Sequence, residues 1–130
     1  MSLITVPVSF GEVVDKITIL EIKSERIHDP EKVANVRHEL VLLERTWTDA
    51  TRGKADVSDA RARLKAVNEE LWEIEDDIRV QESQKTFDEK FVELARSVYV
   101  TNDRRANIKK EINLALGSEL VEEKSYEDYS

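Results

Sequence analysis

The chain has 130 residues, 37% of them charged and 40% apolar, with 3 Gly, 2 Pro and no Cys; it is long enough for one continuous core, with the balance of solvated helices rather than turn-rich β structure. A net charge of −8 opposes nucleic acid and anionic lipid surfaces, which are bound through clustered Lys and Arg. The lack of Cys excludes disulfides and thiolate chemistry, and no apolar run nears the roughly 20 residues of a bilayer crossing.

The first residues lack the pattern of a secretion leader, so the expectation is a cytoplasmic protein without a membrane partner. "LITVPVS" alternates β-branched residues around a Pro, which suits an edge strand or an extended arm over residues 1–8. Ser9 with Glu12 forms a capping-box pattern that opens a first helix over 9–28. Asp29 followed by Pro30 caps a second helix over 29–48, after a turn so tight that the two helices should be antiparallel neighbours. Its stripe is Val33, Val36, Leu40, Leu43 and Trp47, spaced by threes and fours.

"TDATRGKADVS" breaks that period as an exposed connection. A third helix over 58–84 repeats the stripe with Leu64, Val67, Leu71, Ile74 and Ile78. Thr86 with Glu89 is a second capping box, which predicts a fourth helix over 86–116 and a hairpin with the third. Gly117 ends it, and an acidic segment, 117–130, follows. The expected architecture is an all-α, single-domain antiparallel bundle of about four helices, built as two helical hairpins. A short arm precedes the bundle and a C-terminal tail docks back on it. Helices three and four should overhang, and a homo-oligomer would cover the overhang.

Polar side chains interrupt the stripe of helix four. Phe91, Leu94, Val98, Thr101, Arg105, Ile108, Ile112 and Ala115 recur by threes and fours, so Thr101 and Arg105 fall on core-facing positions, with Asn102 beside them. A buried unpaired polar group costs about 1–3 kcal/mol and a charge more, so partners are required. Antiparallel pairing sets Asn68 opposite Asn102 and Lys65 opposite Arg105, which leaves Arg105 to find a carboxylate in Glu69, Glu12 or Asp15.

Helix four is the one segment with net positive charge, concentrated in Arg104, Arg105, Lys109 and Lys110. The acidic residues of helix three, Glu69 to Asp77, pair mostly at a different height. Two readings follow. The acidic tail neutralises this cluster while the inward polar residues fix helix register. Alternatively, Asn102, Arg104, Arg105 and Lys109, with Asn68 facing them, line a cleft for a small anionic ligand such as a phosphate or carboxylate metabolite.

"VPVSFGEVVDKITILEIKSERI", "LARSVYVTNDRRANIKKEIN" and "GSELVEEKSY" together resemble a family of small bacterial proteins of unknown function, over nearly the whole chain. The resemblance implies a bacterial cytoplasmic setting and a tail that is part of the domain; it carries no activity, cofactor or catalytic residue. Two enzyme families use comparable bundles. Nucleotide pyrophosphohydrolases hold Mg²⁺ with paired carboxylates on adjacent helices. Here Glu70, Glu73 and Asp76 with Asp88, Glu89 and Glu93 offer acids without that spacing, and helix dipoles already explain those in a first turn. Helical chorismate mutases hold a dicarboxylate with Arg, Lys and carboxamides, and "DKITILEIKSERI", with Asp15, Lys16, Lys23 and Arg26, is loosely similar to their first helix.

No glycine-rich phosphate loop or nucleophile elbow occurs, and His28 and His38 suit solvated positions. Trp47, Trp72, Tyr99 and Phe91 sit at or near stripe positions, where core or interface packing accounts for them. The sequence thus points to a self-associating binding or scaffolding module with no cofactor and no metal, and, as the alternative, to an enzyme or sensor that binds a small anionic metabolite.

Overall fold

The computed structural model describes residues 2–129. Four helices account for the regular structure among them: α1 (Phe10–Arg26), α2 (Pro30–Ala50), α3 (Ser58–Ser83) and α4 (Glu89–Leu116). No helix is long and apolar enough to cross a membrane.

Local chemistry sets each start. Ser9 Oγ accepts from Glu12 N at 3.1 Å, and Asp29 Oδ1 accepts from Glu31 N at 2.9 Å with Pro30 in the first turn. The reciprocal arm of the first capping box is missing, because the Glu12 carboxylate turns away to Lys109. At the start of α4 the predicted cap is corrected: Asp88, not Thr86, accepts from Phe91 N, at 3.2 Å. Lys85 adopts a left-handed conformation (φ 53) after α3, which lengthens the turn and moves the cap to a carboxylate that also suits the helix dipole. Gly117 (φ 67) ends α4 as the sequence indicates, and Ser118 N donates to Asn113 O at 2.8 Å in the helix-terminating turn.

The helices pack as an antiparallel bundle in which α1 is central. It lies against the α3–α4 hairpin on one side and α2 on the other. α1 and α4 run antiparallel: residues 11, 12 and 15 meet residues 113, 109 and 105. Val14, Ile17, Trp47, Ala60, Leu64, Ile112 and Leu116 form the core, and Phe10 meets Trp47 edge to face. The α2 stripe is only partly covered, since Trp47 is buried while Val33, Val36, Leu40 and Leu43 are half-buried. The hairpin tip is likewise open, with Val80, Phe87 and Val92 exposed.

The tail runs back along α4, held by Lys109 to Glu122, Lys110 to Glu123 and Tyr129 to Asp103. The arm is different. Leu3, Ile4, Val6 and Val8 are exposed, Ile4 to 92%.

Candidate functional site

The polar interruption of α4 is a seam between α1, α3 and α4. Its hub is Asp15, 1% exposed. Arg105 Nε donates to Asp15 Oδ1 at 2.9 Å and Nη2 donates to Oδ2, a two-pronged match of guanidinium to carboxylate. Asn68 Nδ2 donates to the same Oδ1 at 3.0 Å and to Thr18 Oγ1 at 2.9 Å, and the Thr18 hydroxyl in turn donates to Asp15 O at 2.8 Å. Asn102 Oδ1 accepts a long contact from Arg105 Nη1 at 3.4 Å. Asp15 holds the Arg105 guanidinium in its charged form, raising its pKa despite partial burial.

Asn68, Asn102 and Arg105 therefore lie together, but not as the simple helix alignment predicts. Asn68 turns to Asp15 and Thr18 on α1 rather than to Asn102. The reason is competition: a buried carboxylate is the stronger acceptor, and an amide that reaches it supplies a charge-assisted bond. Lys65, set opposite Arg105 in the sequence alignment, pairs with Glu25 at 2.6 Å. The outer side of the seam is a groove of about 530 Å³ that Asn68, Asn102 and Arg105 share with Lys23, Trp72 and Arg79.

The other two cations of the sequence-derived set do not line this groove. Arg104 lies on the opposite flank of α4 and pairs with Glu70 at 2.7 Å, so the acidic run of α3 does reach the basic cluster at this one residue. Lys109, mostly buried, donates to Glu12 at 2.8 Å and Glu122 at 2.9 Å, so one ammonium joins the first turn of α1 to the tail. Burial works against its charge, yet these two carboxylates carry its pKa above the ordinary lysine value, and the bond from Lys109 in turn holds Glu122 below the usual glutamate range.

Four members of the seam escape a reading by stripes. Gly11 N donates to Asn113 Oδ1 at 2.6 Å, and Asn113 is 2% exposed. A side chain on Gly11 would sit 2.5 Å from the Lys109 carbonyl, so α1 and α4 approach as closely as they do because Gly11 has none. Thr18 and Glu122 complete the set. A glycine in the first turn of a charged helix was the available signal for such an approach.

Three of the six acidic residues weighed for Mg²⁺ have other engagements: Glu70 binds Arg104, Glu73 binds Arg26 at 2.7 Å, and Asp88 caps α4. His28 and His38 are exposed.

Fold and seam together define a small all-helical domain whose inward-facing ionisable groups are matched across helix boundaries. Residues 4–129 match a family of unknown function, DUF6165, and the chain belongs to that family. No curated protein and no solved structure matches the chain.

Proposed function

We propose that the protein is a non-enzymatic, self-associating helical module that joins copies of itself through its N-terminal arm. The observation that carries this reading is the arm: residues 3–8 hold no charge and are exposed, with Leu3, Ile4, Val6 and Val8 left uncovered by the other described residues. An uncovered β-branched segment is a template for strand pairing. Its partner is a second copy of the same segment, because an uncharged sequence meets itself without repulsion.

Pro7 fixes the geometry. Lacking an N–H, it belongs on the outer edge of an antiparallel ribbon, and Thr5 and Leu3 share that edge. Ile4, Val6 and Val8 then direct their backbone groups to the other copy, with Val6 opposite the partner's Val6 and Ile4 opposite the partner's Val8. The half-covered stripe of α2 and the open hairpin tip add apolar surface in the same molecule.

Sedimentation equilibrium on the full chain tests this. A dimer is expected at micromolar concentrations. Val6→Pro removes an inner-edge donor and gives monomer, while Thr5→Pro, on the outer edge, leaves the dimer; circular dichroism shows the same helix content in both. A monomeric wild type, or a Val6→Pro variant that still dimerises, overturns the reading.

A further inference from the structure

All three tyrosines of the chain, Tyr99, Tyr126 and Tyr129, line one cleft of about 560 Å³ between α4 and the docked tail. Tyr99, placed by its helical spacing at or near the core stripe, is instead exposed. It meets Tyr129 edge to face, with 5.0 Å between ring centres and 71° between planes. The Tyr129 hydroxyl donates to Asp103 at 2.6 Å, which fixes that ring, and Tyr126, 80% exposed, completes the aromatic lining.

The charges point the same way. Asp103 and Glu127 put two carboxylates in the lining against the single ammonium of Lys124. That ammonium lies 5.3 Å from the centre of the Tyr126 ring, within the distance at which a π face attracts a cation. One wall of the cleft thus already holds an ammonium from the chain itself. The volume falls in the range of small-molecule sites.

We infer that this cleft binds a small organic cation of the alkylammonium class. The tyrosine faces would receive the apolar shell of the cation, and Asp103 and Glu127 would supply the countercharge. An anion would meet two carboxylates. A neutral molecule of the same shape would gain apolar contact and lose the ring quadrupole and the carboxylates. The inference is independent of self-association, since the cleft is built within one chain.

Calorimetric titration of the full chain with choline and with its neutral isostere 3,3-dimethylbutan-1-ol tests it, alongside ring-proton shifts in NMR. Choline is expected to bind roughly tenfold or more tightly than the alcohol, as a cation–π contact with partial desolvation implies. Tyr126→Ala leaves the Tyr99–Tyr129 contact and the tail in place, and it lowers choline affinity several-fold; Glu127→Gln also lowers it. Lys124→Ala, which frees the Tyr126 face, raises it. Equal affinity for both probes, no binding of choline, or choline affinity unchanged in both Tyr126→Ala and Glu127→Gln overturns the inference.

Discussion

Arg105 and Asp15, ninety residues apart in the chain, are joined by two parallel contacts: Nε to Oδ1 at 2.9 Å and Nη2 to Oδ2. The aspartate is buried and the arginine half-buried, so the pair neutralises inside the bundle a charge that water does not solvate. Its neighbour Arg104 forms an ion pair with Glu70 at 2.7 Å, but on the surface, where both partners are about half exposed.

These adjacent arginines should behave differently. Arg105→Ala strands the Asp15 carboxylate and is expected to lower stability by about 3 kcal/mol. Arg104→Ala removes a solvated pair and should cost about 0.5 kcal/mol or less. Urea unfolding of the two variants checks this, and equal losses would contradict the assignment of Arg105 to a structural seam.

Asn68 touches the same carboxylate through an N–H donor. Asn68→Ala loses two hydrogen bonds and is expected to cost about 1–3 kcal/mol. Asn68→Asp should be worse at neutral pH, because it sets a second carboxylate against Asp15 where a donor had been. The order of their thermal midpoints is the measurement, and an Asp variant more stable than the Ala variant would refute it.

Gly11→Ala sets two effects against each other. Helix propensity favours Ala by about 1 kcal/mol. The new methyl group would stand 2.5 Å from a backbone carbonyl of Lys109, which cannot swing away as a side-chain end can, and overpacking of that kind costs about 1–3 kcal/mol. Separation of α1 from α4 also weakens the bond from Gly11 N to Asn113. A net loss is expected in thermal unfolding; a stabilised variant would show that the two helices are free to move apart.

Tail docking should depend on pH at both ends. The Glu122 pKa is lowered by its bond from Lys109. A depressed carboxylate contributes stability that is present above its unfolded pKa and is lost as pH falls through the folded value, so this tether fails in acid, below the ordinary glutamate range. Tyr129 is shifted the other way, because its proton is donated to Asp103 and burial adds to the effect. Its contribution holds below the ordinary tyrosine pKa and is lost as pH rises through the raised value. Tail amides followed by NMR should therefore stay ordered across neutral pH and loosen first in acid. Lys109→Met should loosen the tail at neutral pH as well.

Much of this architecture is written in the spacing of apolar residues. Leu64 and Val67 on α3, and Leu94 and Ile112 on α4, are buried where the three-and-four period puts them. The polar break at Thr101, Asn102 and Arg105 was visible by the same count, and Asp15 stood among the three carboxylates named as partners for Arg105. Periodicity within one helix could not tell which of them would reach, because that depends on how α1 crosses the hairpin. Nor could it place Thr86 and Asp88, where two residues with capping side chains compete and the left-handed Lys85 decides between them. Of the two placements open to Tyr99, core or interface, the core one does not hold: its ring is exposed and meets Tyr129 of the tail, and a segment without a period announces no face.

The seam also has a temporal side. Gly11, Glu12 and Asp15 find their partners 102, 97 and 90 residues later. On a ribosome α1 and α2 can coil as soon as they emerge, but the first helix must wait with its charge unmatched until α4 has been made. Such distant closures slow folding relative to bundles knit by local contacts. Closure of the seam is therefore tied to synthesis of α4, and a chain interrupted before Arg105 retains an aspartate on the face that should become its interior.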